Sequence, residues 1–197
     1  MDYVLNNYIL KNKVPYEALI KEELKEQTFE EYITSLIDKH IGKTDKELCE
    51  LYHREYNNNK AQWVDLTYKM LGIKGNHAQE FIKAGIVVKA IRIEENGKIK
   101  ENMSFKPFLF KELVKEEWED SFIYNYFNET KFFFVIYKKE GDCYKLMGSQ
   151  LWNMPYNDLN EIVKEGWMKI QKCIKDGVKY EIGKSCVYKS DLPSVLR

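Results

Sequence analysis

The chain lacks net charge: 31 lysines and arginines offset 31 aspartates and glutamates over 197 residues. No global positive field marks it as a polyanion binder, so any nucleic-acid surface has to come from charge segregated locally. Cysteine is sparse. Cys49, Cys143, Cys173 and Cys186 form no Cys-x-x-Cys pair, and His40, His53 and His77 show no metal-ligand spacing. A zinc site is therefore not expected, and the thiols are expected to be reduced. No apolar run approaches the roughly 20 residues needed to span a bilayer. The start, Met1-Asp2-Tyr3-Val4, has no secretory pattern. These absences are read as a cytoplasmic protein, neither exported nor membrane-embedded. A Gly-rich phosphate loop and a nucleophile elbow are missing too, as are internal repeats and low-complexity linkers.

What is present is material for a core. Aromatic residues make up 14% and charged residues 31% of a chain long enough for one well-buried domain. The first 75 residues read as helices joined by short polar turns. Thr28 is placed to cap a helix with Tyr32, Ile33, Leu36, Ile37 and Ile41 on one side, and Thr44 to cap a second with Leu48, Leu51 and Tyr52. Asn57-Asn58-Asn59 reads as a turn. Trp63, Leu66, Thr67, Met70 and Leu71 give a further helix, ended by Gly72.

From Gly85 the period becomes extended. Gly85 to Ile93 predicts a buried strand, Asn96-Gly97 a hairpin-type turn, and 102–108 a returning extended run. Residues 109–119 predict a helix with Leu113, Val114 and Trp118 inward and an acidic flank. Lys131 to Lys139 is the most apolar strand, Gly141-Asp142 a second hairpin turn, and Tyr144 to Met154 its partner. After Pro155 a long amphipathic helix carries Leu159, Ile162, Val163, Trp167, Ile170 and Ile174 as far as Gly177. The tail after Gly183 is polar, and its loop-like run to Arg197 suits a piece of something longer. The fold class is α/β: a mixed central sheet flanked by helices, with an N-terminal helical lobe at 1–75 and a core at 76–197. Trp63, Trp118, Trp152, Trp167 and Phe132 to Phe134 are read as packing residues.

The chemistry concentrates between Glu80 and Phe105. Lys89 and Arg92 are the only charges inside an apolar strand. A buried ammonium is costly unless paired or wet, so Lys89 is either satisfied by an acid such as Glu80 or belongs to a cleft. Arg92, Lys98 and Lys100 lie on or beside the same strand pair, either as an ordinary solvated face or as phosphate contacts. Ser104 and Lys106 alternate with Met103 and Phe105 and invite the same two readings. His77, beside Asn76, reads as a surface loop residue.

The run Lys83 to Ile93, then Gly97-Lys98, 100–105, Glu116-Glu117-Trp118-Glu119-Asp120-Ser121 and Glu129 to Val135 resembles the MutH-like, GATC-specific type II restriction endonucleases. More narrowly, it resembles the carboxy-terminal MutH-like domain of the two-domain enzymes, over roughly Tyr32 to Val178. The resemblance implies a restriction-endonuclease-like fold of the PD-(D/E)xK type that grips double-stranded DNA. It places the first metal acid at Glu80, the catalytic lysine at Lys89 and the second metal acid at Val87. A valine offers no oxygen to a hard cation, so the resemblance implies a vestigial catalytic pair, no metal ligands and no cofactor for this chain, with Mg²⁺ only if it is active. Glu101 is the one acid to weigh as a substitute ligand. The expected role is a non-cleaving effector domain that binds a GATC-like site, with a catalytic domain of the same enzyme or a second copy as partner. Two alternatives stand beside it: an active Mg²⁺-dependent endonuclease of a restriction-modification system, and a dimerisation module without DNA affinity of its own.

Overall fold

A computed structural model describes residues 17–20, 24, 27–57, 59–100, 107–182 and 188–192. The chain forms two compact units, Met1–Glu101 with Phe132–Leu151, and Asn102–Lys131 with Trp152–Arg197.

In the first unit, helix α1 (Phe29–Asp38) and helix α2 (Asp45–Leu51) both start with a capping box. The Thr28 and Thr44 hydroxyls each accept the N–H three residues on, while Glu31 and Glu47 reach back to the threonine N–H. Ile33, Ile37 and Leu48 are fully buried. Ile41 and Leu51, expected on the same faces, are half exposed because each lies at or past the last helical turn. Helix α3 (Ala61–Met70) buries Trp63, Leu66, Thr67 and Met70 as expected, and Gly72 leaves it at φ +77°, where a side chain would be strained. Helix α4 (Gln79–Lys83) then leads into strand β1 (Ile86–Ile93).

Strand β1 joins strands β2 (Lys131–Glu140) and β3 (Cys143–Asn153) in a sheet of order β1-β2-β3. The two-residue turn Gly141-Asp142, with Gly141 at φ +61°, makes β2 and β3 antiparallel. Glu94 approaches Lys139 at 3.6 Å and Glu95 accepts the Gly141 N–H at 2.9 Å, so the carboxy-terminal ends of β1 and β2 coincide and those strands run the same way. The sheet is therefore mixed. Both alternating faces of β2 carry fully buried residues, Phe132 on one and Phe133, Val135 and Tyr137 along the strand. Residues 42–44 run beside β3, with Gly42 N–H donating to Leu146 O and Leu146 N–H to Lys43 O, each at 2.9 Å, which covers part of its edge. The helices before residue 75 and this sheet share one apolar core.

The second unit departs further from the sequence reading. The helix expected over 109–119 is confined to α5 (Phe110–Leu113), because the acids Glu116, Glu117 and Glu119 would sit against the negative end of a longer helix. Ser121, fully buried, instead caps helix α6 (Phe122–Glu129), which periodicity did not suggest; its hydroxyl accepts the Tyr124 N–H and donates to Trp118 O. The long amphipathic helix opens with a π-helical stretch, Asp158–Val163, before continuing as α7 (Lys164–Asp176). The wider turn puts Leu159, Val163 and Trp167 inward and leaves Ile162 56% exposed, against the α-helical expectation. Trp118 and Trp167 pack with ring centroids 5.5 Å apart. A short antiparallel ribbon pairs β4 (Tyr180–Ile182), just before the tail, with β5 (Tyr188–Ser190), inside the stretch expected to be loop. Among the described residues, no helix is long and apolar enough to cross a membrane.

Candidate functional site

Strand β1 divides its side chains by parity. Ile86, Val88 and Arg92 are buried on the core side, and Val87, Lys89, Ile91 and Ile93 share the other, half-buried face. Val87 and Lys89 are thus neighbours on one surface of the strand.

Lys89 sits half-buried there. Burial is the main reason its ammonium is pulled below the ordinary lysine range, and the positive charge of Lys60 adds to the effect. Arg92 points the other way: only 7% exposed, its guanidinium lies 4.0 Å from the centroid of the Trp63 ring and 5.4 Å from that of Tyr144. A cation set against aromatic rings in this way is well held in a core. Lys98 is exposed in the turn after β1, where its N–H donates to Asn96 Oδ1 at 3.0 Å. The Lys100 ammonium donates to the Tyr144 hydroxyl at 3.0 Å and lies 3.8 Å from Glu94. Ser104, Lys106 and Glu101 lie outside the described residues.

Glu80 stands in the first turn of α4. Its two carboxylate oxygens accept the N–H groups of Leu19 at 2.9 Å and Ile20 at 3.1 Å. Burial pushes its pKa up, but these amides and nearby Lys83 outweigh it and hold the carboxyl below its ordinary value. The partners supplied to Glu80 are therefore backbone amides.

Two polar centres went unnoticed in the sequence. Glu94, just past β1, accepts the Tyr144 hydroxyl at 2.6 Å and has Lys139 and Lys100 within 4 Å. The Tyr144 hydrogen bond is the leading reason its carboxyl is held low. Asp45 is completely buried at the start of α2, accepting from the Tyr144 N–H at 3.1 Å and from the Tyr56 hydroxyl at 3.3 Å. Pairings across 50 and 99 residues leave no local trace. Cys49, Cys143 and Cys173 are free thiols, and burial pushes that of Cys49 up.

A divalent cation held by two carboxylates needs oxygens aimed at one point. Here each oxygen of Glu80 already accepts a backbone N–H, Val87 brings no oxygen, and among the described residues no three His, Cys, Asp or Glu side chains converge. Among the described residues, the donors at this position do not make a two-carboxylate Mg²⁺ site. What the strand does present is a half-buried ammonium whose charged form an incoming phosphate would favour.

Scanned against known protein families, the chain matches none. It is similar to the type II restriction enzyme Sau3AI of Staphylococcus aureus, with 31% identity over 202 residues that cover 92% of this chain and 40% of that enzyme. The chain thus spans well under half the length of this relative.

Proposed function

We propose that this chain is a double-stranded-DNA-binding module of a type II restriction system, reading a GATC-like site without cutting it. The similarity to a restriction enzyme along 92% of the chain carries the reading. The non-cleaving part is supported by Val87, which has no metal-binding oxygen, and by a Glu80 carboxylate occupied with backbone amides. A MutH-like, PD-(D/E)xK ancestry is the proposed fold family, with a helical lobe at 1–75 and a core at 76–197.

In this reading Lys89 and Lys98 meet the phosphate backbone, and Lys100 joins them from its place beside Glu94. Phosphate contacts set register and supply a salt-dependent affinity, while base contacts supply specificity. Arg92 serves from within, fixing β1 against Trp63. A catalytic domain of the same enzyme, or a second copy of this chain, is the proposed protein partner, and the cytoplasm the proposed location.

Electrophoretic mobility shifts on a GATC duplex and a scrambled one, at two salt concentrations, test the proposal. Tighter binding to GATC that weakens with salt is expected. Equal, weak retention of both duplexes removes the sequence-specific part, and no retention of either removes DNA binding. The same preparations incubated with plasmid and Mg²⁺ are expected to leave it uncut.

A further inference from the structure

The segment 17–20 is pinned to the stretch before β1 from both sides. The Glu17 carboxylate accepts the Lys74 N–H at 2.9 and 3.1 Å and the Gly75 N–H at 2.8 Å. Fifty-seven residues separate that first pair, so nothing local demands it. In return, the Glu80 carboxylate accepts the Leu19 and Ile20 N–H groups. Between the two carboxylates, Glu17 pairs in parallel with Ala78, and the Gln79 N–H donates to Glu17 O at 3.0 Å. Leu19 is 2% exposed and belongs to the apolar core, and its carbonyl accepts the Tyr32 hydroxyl at 3.2 Å.

We infer that Glu17 and Glu80 form a reciprocal carboxylate clasp, two positioning residues that lock segment 17–20 to the loop and helix leading into β1. Each acid satisfies amides on the other's segment. The position where a two-carboxylate nuclease keeps its first metal acid is here given over to holding the chain together. Anionic acceptors suit this task, since hydrogen bonds to a charged partner are roughly twice as strong as neutral ones. The consequence for the motif is specific: an acid restored at Val87 does not by itself rebuild a cation site, because the Glu80 carboxylate is held by the Leu19 and Ile20 amides. The clasp is independent of DNA binding and stands or falls separately from it.

Amide hydrogen exchange on the intact chain tests the clasp, with Glu80→Ala, Glu80→Gln and Glu17→Ala beside the wild type. Glu80→Ala is expected to speed exchange about ten-fold or more at Leu19 and Ile20. It should also speed exchange at Lys74 and Gly75, whose acceptor Glu17 departs with the released segment. Glu17→Ala is expected to do the reverse, and Glu80→Gln, which keeps one carbonyl oxygen, to lose less. If Glu80→Ala leaves Lys74 and Gly75 protected, the two acids are not coupled and the inference fails. Should the alanine variants not fold, Glu80→Gln and Glu17→Gln are compared by the same cross-segment readout. Manganese titration followed by electron paramagnetic resonance gives the second arm. Neither wild type nor Val87→Glu is expected to bind the ion stoichiometrically. Stoichiometric binding by Val87→Glu that disappears in the Val87→Glu, Glu80→Gln double variant overturns the assignment.

Discussion

Replacing Asp45 by alanine removes a fully buried carboxylate that serves two distant donors. The Tyr144 N–H, on a residue 4% exposed, loses its acceptor and water has little access to replace it. A buried donor stranded in this way costs about 1–3 kcal/mol. The Tyr56 hydroxyl is only partly buried and loses about 1 kcal/mol with the same bond. An acid in the first turn of α2 contributes roughly 0.3–1 kcal/mol more. The Lys46 N–H, on an exposed residue, is re-solvated and adds little. The expected loss is about 3 kcal/mol, a large share of the roughly 5–15 kcal/mol that holds an ordinary domain together. Urea unfolding followed by far-ultraviolet circular dichroism measures it, and an unchanged m-value keeps the comparison valid. Asp45→Asn keeps one oxygen for Tyr144 and is expected to lose less. A spectroscopic signature accompanies the loss. The Tyr56 hydroxyl is pushed up to about 12, first by burial and then by the Asp45 charge and hydrogen bond, so in Asp45→Asn its titration at 295 nm is expected to move down. A stability loss below about 1 kcal/mol for Asp45→Ala would refute the reasoning, since it would mean both donors find other acceptors.

Arg92→Lys keeps the charge but not the guanidinium contact over the Trp63 ring, and is expected to cost about 1–2 kcal/mol and to shift tryptophan fluorescence; an unaltered melting temperature speaks against a structural Arg92. Ile162→Lys is expected to change stability by no more than about 0.5 kcal/mol, while Val163→Lys, one residue on, introduces a buried charge and costs several. Equal effects in thermal melts would mean the π-helical phase is wrong. Burial raises the hydroxyls of both Tyr56 and Tyr137 above their ordinary value. The unfolded chain therefore gives up these protons first. Stability is expected to be fully present below about pH 10 and to fall as pH rises toward the folded-state values, so urea midpoints that stay flat across that window count against both burials.

The parts of the fold that were legible are those written in neighbouring residues. Thr28 with Glu31 and Thr44 with Glu47 are complete capping signals within four positions, and both helices start there. The three long strands were readable because β-branched and aromatic runs are bounded by Gly85, Gly141 and Pro155. Helix α6 was missed because its signal is one serine, Ser121, directly after what resembled an acidic helix flank. Ile162 was placed inward because a 3.6-residue period leaves no room for a π turn. At the candidate site, the apolar strand with Lys89 was visible, but the direction of Arg92 was not: strand parity shows which residues share a face, and Trp63, far earlier in the chain, decides which face is the core. Glu80 is the clearest case of a residue whose identity was read and whose duty was hidden, because its hydrogen-bond partners lie 60 and 61 residues away.

The π-helical stretch Asp158–Val163 has an implication for how this region tolerates change in length. A turn closed by i→i+5 bonds holds one residue more than an α turn, so excising a single residue there, Ile162 for instance, leaves a regular helix whose flanks keep their facing. The same excision inside α7 would swing every following side chain by about a quarter turn. Single-codon gaps in natural variants should therefore cluster between Asp158 and Val163 and be scarce between Lys164 and Asp176.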